Sequence, residues 1–555
     1  MSSDELVRGE FGTKLDTYLS RITPFGFSGA CLVAKNEDVL INKGYGMAVR
    51  ERGIRNTSDT VFCTGSITKQ FTAAAIMTLE MKRKLNTSDL ISKYFDKTPM
   101  DKKDIAIHNL LTHTSGVITD AGDDYVVAYR DETIKKILDS PLRFTPGTQY
   151  EYSNAGYTVL AAIIELVSGQ QYEEYLIEHL FKPAGMAFTG FDIPNWKERV
   201  VANWYLKEKN NGVPPIDEPG SHWNVMGNGE ILSTTEDMYK WYLVLKGNKI
   251  LSADAKKKLF TPFLSEYAYG WHVTKTPRGT CIQHGGGSTL GSSAQFQWFV
   301  DEDIIIILFA NQSYGDATMM PLIQDKIERI VFGDDVEIPP ATLESDLAYL
   351  QRFVGTYKLA GGDSIDLSIE TDVLKLSAAG QDAVSAIFLP KQDNRAFNES
   401  NQLSAKLFET MVKGDFGYLE EVVENRNTLA VKRELIETKL RELGQTNSKK
   451  AEIQVLGSFP STRREGVVET VVQLRLGEKS VRLGALWHGE KLWGFPGSTV
   501  QPFMFLNPIS EYSFAGYNLG LAKGVIINFV ADNRGNVREL VIEGKHSSLH
   551  AQNVV

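Results

Sequence analysis

The chain has 555 residues, several times the ~150 at which one hydrophobic core usually stops growing, so two to four domains are expected. Its 42% hydrophobic and 23% charged residues, with 47 Gly and 19 Pro, exclude collagenous, low-complexity and largely disordered chains. The 59 Lys+Arg against 69 Asp+Glu give a net charge of -10, so no global basic field exists to gather nucleic acid or anionic lipid, and neither is expected as a partner.

The start, Met-Ser-Ser-Asp-Glu, is acidic, and the first apolar stretch, Phe25 to Ala34, is broken by Gly26, Ser28 and Gly29. With no basic segment leading into an apolar one, no secretory signal is read and a cytoplasmic location is expected. Cys31, Cys63 and Cys281 are too few and too scattered for a disulfide framework and are read as free thiols. Strand patterns run over Gly29 to Ala34 and Val39 to Gly46. Gly65-Ser66-Ile67-Thr68-Lys69 then stands directly before an apolar, helix-favouring run, Phe71 to Met77. Ser66 is expected in the first turn of that helix with Lys69 one turn later, on the same face. An amine so placed can take the hydroxyl proton, and the helix N-terminus favours the developing negative charge, which is a nucleophile arrangement. The plain alternative is a capping serine and a solvated lysine.

Further along, Tyr150-Glu151-Tyr152-Ser153-Asn154-Ala155-Gly156-Tyr157 precedes an apolar helix, Val159 to Val167, that Ser168-Gly169 terminates. The Tyr152 phenol could act as a general base if nearby cations lower its pKa, and the Asn154 amide can both donate to and accept from a substrate amide. Here the plain alternative is a cap followed by core aromatics. His284-Gly285-Gly286-Gly287-Ser288 lies just ahead of an alternating strand, Ser293 to Val300. Its glycines let backbone approach a ligand closely, and an exposed N–H beside them can form half of an oxyanion hole; otherwise it is a flexible turn with a surface histidine. Lys275-Thr276-Pro277 resembles a K-T-G triplet, but proline removes an N–H, so the histidine site is preferred.

Asp301-Glu302-Asp303 is a hairpin turn leading into a strand over Ile304 to Ala310, the longest clean apolar run and far short of the ~20 residues that cross a bilayer. A helical pattern from Met319 to Val331 is stopped ahead of Pro339-Pro340, where the main boundary is placed. A sheet assembled from both ends of a domain, with helices inserted between, is an α+β layout. After Pro340, alternation over Arg352 to Tyr357, Ser364 to Ser368, Val373 to Leu376 and Ala386 to Leu389 opens a β module. The period turns helical from Gln402 to Leu443. It alternates again through Val467 to Leu476, Val481 to Trp487 and Lys491 to Phe495, ending in a hairpin-like pair, Val525 to Val530 and Val537 to Ile542. The expected division is 1–337, a catalytic domain; 341–400, a β-rich part; 401–505, an α+β segment; and 506–555, the last β-rich part. Trp487-His488-Gly489 and Lys491-Leu492-Trp493 read as core aromatics around a turn.

Taken jointly and in this order, Ser66-Ile67-Thr68-Lys69, Tyr152-Ser153-Asn154 and His284-Gly285-Gly286 resemble the serine β-lactamase-like, penicillin-recognising hydrolases of the class C type, which include D-alanyl-D-alanine carboxypeptidases, D-aminopeptidases and related esterases. His108 to Gly116 and Gly229 to Met238 also look like that family, over roughly residues 10 to 335 in all. The resemblance implies a mixed α/β domain with an antiparallel sheet flanked by helices, and a covalent acyl-enzyme route. In it Ser66 attacks the carbonyl, Lys69 and Tyr152 share the proton traffic, the N–H groups of Ser66 and Gly287 hold the oxyanion beside Gly286, and Asn154 binds the acyl side. His108 and His113 are expected to anchor loops, and Ser233-Thr234-Thr235-Glu236 to cap a helix.

Many penicillin-recognising enzymes carry lysine where His284 stands; histidine looks more like D-aminopeptidases, D-amino-acid amidases, esterases and some carboxypeptidases of the family, so weak or no β-lactamase activity is expected. The extension after Pro340 resembles the β-barrel or lipocalin-like domains of D-aminopeptidase-type members. The expected substrate is a small peptide, amide or ester, with D-amino-acid peptides ahead of simple esters; a carboxylesterase and an acylating sensor that does not turn over are the alternatives. No G-x-S-x-G elbow, H-E-x-x-H pair, P-loop or dinucleotide fingerprint is present, and no metal or cofactor is implied.

Overall fold

The computed structural model describes residues 5–206, 209–212, 222–313, 319–370, 372–388, 395–424, 429–446, 449–461, 466–495, 503–519, 523–543 and 548–554. The chain divides into two compact units, one chiefly Phe27–Tyr314 and the other chiefly Val336–Val555.

The first unit is built on seven strands: β1 (Leu6–Val7), β2 (Gly29–Lys35), β3 (Asp38–Tyr45), β4 (His272–Thr276), β5 (Gly279–Gly287), β6 (Ser293–Phe299) and β7 (Ile304–Ala310). They lie in the order β1-β3-β2-β7-β6-β5-β4, each pair antiparallel. The α+β layout is thus present: strands from the two ends of the domain meet where β2 pairs with β7, Ile307 opposite Leu32. Every residue of β7 is buried, which is why it reads as an unbroken apolar run instead of an alternating one. Asp301, Glu302 and Asp303 form the expected turn between β6 and β7.

Between the strand pairs lie helices including α1 (Thr68–Met81), α2 (Asn154–Ser168) and α3 (Thr235–Lys246). All residues of α1 from Thr68 to Leu79 are buried, so it is a central helix covered on every side, with Ala73, Ala74 and Ala75 allowing neighbours to approach. It packs against α2, which ends at Gly169 in the left-handed conformation (φ 76°), the Gly169 N–H donating to the Glu165 carbonyl. Thr234 caps α3 as expected, its hydroxyl accepting from the Asp237 N–H at 3.1 Å.

The second unit contains a closed antiparallel barrel of β8 (Gly355–Leu359), β9 (Ser364–Glu370), β10 (Val373–Ala379), β15 (Phe503–Pro508), β16 (Ser513–Asn518), β17 (Lys523–Ala531), β18 (Val537–Glu543) and β19 (Ser548–Asn553). Pairing of β8 with β19, Tyr357 opposite Asn553, closes the ring and removes both edges. Phe353, Phe514 and Phe529 fill its core, with Phe353 4.7 Å from each of the other two ring centroids. Inserted between β10 and β15 are helices and a four-stranded sheet of β11 (Glu452–Pro460), β12 (Val468–Leu476), β13 (Lys479–His488) and β14 (Lys491–Gly494). Trp487 is buried there beside the β13–β14 turn, its indole N–H donating to Ser404 Oγ at 2.7 Å.

One expected strand is replaced. Ala386 to Phe388 belong to a helix, Gln381–Phe388, whose buried residues Ala383, Val384, Ile387 and Phe388 follow helical spacing over a window wider than the four residues first read; Leu389 lies outside the described residues.

Candidate active site

Ser66 sits in a single 3-10 turn, Gly65–Ile67, that runs directly into α1, so the expected first-turn serine lies just before the α-helix proper. Lys69, in the first turn of α1, is fully buried. Its Nζ lies 3.0 Å from Ser66 Oγ, 2.7 Å from Asn154 Oδ1 and 2.6 Å from the Asn228 carbonyl oxygen. Burial drives the Lys69 pKa well below its ordinary value, against the opposing pull of the Asp120 and Asp124 carboxylates. The amine is therefore held toward its neutral, proton-accepting form.

The second segment is fixed by its own backbone. Ser153 caps α2 by accepting from the Gly156 N–H at 2.9 Å and donates its own hydroxyl to the Ile118 carbonyl at 2.7 Å. The Ser153 N–H donates to His113 Nδ1 at 3.1 Å, so His113 anchors the stretch between Tyr152 and Asn154, the loop-anchoring role its sequence context suggested. That bond fixes the tautomer with the proton on His113 Nε2, an atom that is buried and has no hydrogen-bond partner among the described residues. Tyr152 has its ring 4.7 Å from Lys69 Nζ and lines the same cavity as Ser66. Burial pushes the Tyr152 pKa up, so the lowered phenol considered from sequence is not found; the amine, not a tyrosinate, is the basic group beside Ser66.

The third segment is the end of strand β5, not a turn ahead of a strand. Glycines carry no side chains to alternate, which is why this strand was invisible as a pattern. Strand β4 pairs with β5 only as far as Gln283, opposite His272, so His284 to Gly287 extend beyond it with one side unpaired. On the other side Gly287 faces Ser293 of β6, and the Ser288 N–H donates to the Ser292 carbonyl at 3.0 Å. Bonded and non-bonded pairs alternate in an antiparallel ladder, so the Gly287 N–H points away from β6. It points toward the serine turn: a Cβ on Gly65 would lie 2.4 Å from the Gly287 nitrogen, and one on Gly286 would lie 1.9 Å from the Thr64 carbonyl oxygen. The glycines are what let the two backbones come together.

His284 is buried, donating from Nδ1 to the Gly285 carbonyl at 2.6 Å and accepting at Nε2 from the Tyr267 hydroxyl at 3.0 Å. Burial is the main cause that lowers its pKa to about 3, so it is a neutral imidazole. Ser66, Tyr152, His272, His284, Gly285, Gly286, Gly287 and Gln295 line a cavity of about 440 Å³. It has no lysine or arginine among its described lining residues. The Lys275-Thr276-Pro277 triplet lies at the far end of β4, where Lys275 pairs with Thr280.

The structure therefore brings together Ser66, Lys69, Tyr152, Asn154, His284, Gly286 and Gly287. Sequence reading missed Asp120, whose Oδ1 accepts from Asn154 Nδ2 at 2.7 Å, and Asn228, Tyr267, His272 and Gln295. These are single polar residues from separate loops and strands, and only Asn228, one position ahead of the Gly229 to Met238 stretch, was flagged by its neighbours. Among the described residues no cluster of His, Cys, Asp or Glu could hold a metal ion, and no helix is long and apolar enough to cross a membrane.

The β-lactamase family model matches residues 26–326, more than half of the chain, and the protein belongs to the β-lactamase family, a serine hydrolase family of the β-lactamase and penicillin-binding-protein type. Among its relatives is PbpX of Bacillus subtilis (strain 168), a penicillin-binding-protein-like chain 35% identical over 314 residues, 56% of this chain and 76% of that one. The fold is shared over nearly the whole length with the octameric penicillin-binding protein homologue from Pyrococcus abyssi, at 19% identity and a TM-score of 0.53, covering 97% of this chain and 99% of that one. The first unit's fold is shared with the D-amino acid amidase from Ochrobactrum anthropi, at 16% identity and a TM-score of 0.50, covering 58% of this chain and 99% of that one.

Proposed function

We propose that the protein hydrolyses amide or peptide bonds of small D-amino-acid-containing substrates through an acyl-Ser66 intermediate. The observation that carries the reading is the environment of Lys69. A neutral amine has two N–H donors and one lone pair. With the donors directed to Asn154 Oδ1 and the Asn228 carbonyl, the lone pair is left for the Ser66 hydroxyl 3.0 Å away. Ser66 Oγ forms the bond to the substrate carbonyl carbon while its proton passes to Lys69 Nζ, and the N–H groups of Ser66 and Gly287 stabilise the oxyanion. The protonated Lys69, with the neutral Tyr152 phenol as a bridge, then returns the proton to the leaving nitrogen as the C–N bond breaks. Water attacks the acyl-enzyme and regenerates Ser66.

The neutral His284 and the absence of a cation among the described lining residues favour substrates without a free carboxylate at that end of the cavity. Asp120 and Asp124, whose charges reach Lys69, favour a positive group on the acyl side, such as the free amine of an N-terminal residue. Both features support an aminopeptidase or amidase over a carboxypeptidase or a β-lactamase.

Turnover of D- and L-alanyl p-nitroanilide, of the N-acetylated D-anilide and of p-nitrophenyl acetate, with intact-mass spectrometry of the protein, tests this. Preferential release from the free-amine D-anilide, with a transient adduct mapped to Ser66 and abolished in Ser66→Ala, is expected. Turnover confined to the ester would convert the reading to a carboxylesterase, a persistent adduct without turnover would make it a sensor, and activity surviving in Ser66→Ala would refute the site.

A further inference from the structure

We infer that Asp120 is a positioning residue that holds the Asn154 amide in the one orientation able to aim the Lys69 lone pair at Ser66. The inference rests on the acyl-Ser66 reading above and concerns how its base is set.

The geometry is a chain of three side chains ending at the nucleophile. Asp120 Oδ1 accepts from Asn154 Nδ2 at 2.7 Å, Asn154 Oδ1 accepts from Lys69 at 2.7 Å, and Lys69 Nζ lies 3.0 Å from Ser66 Oγ. An amide side chain can rotate by half a turn and exchange its oxygen for its nitrogen with little change in shape. The two orientations have opposite consequences here. With the oxygen toward Lys69, the amine spends an N–H on Asn154 and keeps its lone pair. With the nitrogen toward Lys69, Asn154 would donate into that lone pair and the base would be occupied. The carboxylate of Asp120 accepts but cannot donate, so it bonds only to the amide nitrogen and repels the amide oxygen. The choice is thereby made from outside the cavity by an exposed group.

The rest of the surroundings of Lys69 cannot make that choice. The Asn228 carbonyl takes the second N–H, and the Asn228 side chain is committed to Thr158 and the Asn224 carbonyl. Tyr152 and Tyr157 present ring faces, 4.7 and 5.7 Å from Nζ. His113 and His284 are buried and held neutral, and Asp124 acts on Lys69 through its charge without a hydrogen bond to Asn154 among those found. Asp120 also contributes charge, which favours protonated Lys69 and so opposes the base. Its positioning and its charge thus pull in opposite directions, and the two can be separated.

The test uses the full-length protein and the rate of Ser66 acylation by p-nitrophenyl acetate, followed as the nitrophenolate burst and as intact mass. Asp120→Ala is expected to slow acylation about tenfold or more, the scale that small misplacements of catalytic groups reach, with little change in the ester concentration giving half-maximal rate. Asp120→Asn keeps an acceptor for Asn154 Nδ2 but adds an N–H donor that suits the flipped amide equally well, and it removes the charge; it is expected to recover only part of the rate lost in Asp120→Ala and to move the acidic limb of the pH–rate profile to lower pH. In an Asn154→Ala background the Asp120→Ala change is expected to cost less than about twofold, because its effect passes through Asn154. Matching thermal transitions for Asp120→Ala and the parent separate positioning from folding. Acylation of Asp120→Ala within twofold of the parent, or equal losses in the two backgrounds, would overturn the inference while leaving the acyl-Ser66 reading intact. Acylation surviving in Ser66→Ala would overturn both.

Discussion

Replacement of Gly286 by alanine is the sharpest perturbation the site offers. A Cβ there would lie 1.9 Å from the Thr64 carbonyl oxygen and 2.9 Å from the Ser66 nitrogen, against ordinary contacts that begin at 3.4 Å. Strand β5 and the serine turn would have to separate by about 1.5 Å, and both partners are backbone, with no rotamer to absorb the strain. Overpacking of this kind costs ~1–3 kcal/mol of stability. The kinetic cost should be larger, because the displacement falls on the Ser66 and Gly287 N–H groups and misplacement by ~1 Å can cost ~100-fold. Gly285→Ala provides the internal comparison, since the nearest atoms to its Cβ belong to the Gln295 side-chain amide, at 3.0 Å, which can move aside. Stopped-flow acylation by p-nitrophenyl acetate and urea denaturation of the three proteins would give both quantities. If Gly286→Ala acylated within twofold of the parent, the close approach of β5 to the serine turn would not set the oxyanion geometry, and the reasoning would fall.

Lys69→Arg places a permanently charged group where a neutral amine is needed, and acylation should fall by ~100-fold or more, as measured by the same burst. Tyr267→Phe leaves His284 Nε2 as a buried acceptor without its donor and should cost ~1–3 kcal/mol in urea denaturation, more than the ±0.5 kcal/mol of a surface change. For pH dependence, His284 has a folded pKa of about 3, below the ordinary ~6.5, so the unfolded chain binds the proton more readily. The stability this contributes is complete above ~6.5 and is lost as pH falls toward 3, with His113, His272 and His108 lowered in the same direction. Thermal transitions between pH 7 and pH 4 should fall more steeply for the parent than for His284→Gln, and parallel slopes would exclude His284 as a source.

Much of the site was legible because its chemistry is local. Ser66 and Lys69 are three residues apart on one helix turn, and Tyr152 and Asn154 flank a helix cap, so sequence spacing already implies spatial neighbours. The α+β layout was legible through Gly29 to Ala34 and Ile304 to Ala310, whose apolar density requires cover on both faces. What escaped depends on long-range convergence. Asp120 meets Asn154 across 34 positions and Asn228 meets Lys69 across 159, distances that no local pattern encodes. His284, Gly286 and Gly287 were legible as site residues, but their place at the end of a strand escaped for a different reason, since a run of glycines has nothing to alternate. Ala386 to Leu389 reads as a strand, although Ala386 to Phe388 end the helix Gln381–Phe388, because four residues are too few to distinguish the two periods. Barrel closure, which joins Tyr357 to Asn553, is a property of the whole ring.

The pairing of β2 with β7 also orders events during synthesis. Strand β2 leaves the ribosome some 270 residues before its central partner, roughly 13–54 s at ~5–20 residues per second, and the sheet cannot close in that interval. Strand β7, Ile-Ile-Ile-Ile-Leu-Phe-Ala, is prone to stack with copies of itself, having high β-propensity and no charge. Its place in the order of translation limits that hazard. When β7 emerges, β2 and β6 are already made, and the acidic turn Asp301-Glu302-Asp303 precedes it directly as a charged guard. The nascent chain thus holds this adhesive strand back until both of its neighbours in the sheet are available to receive it.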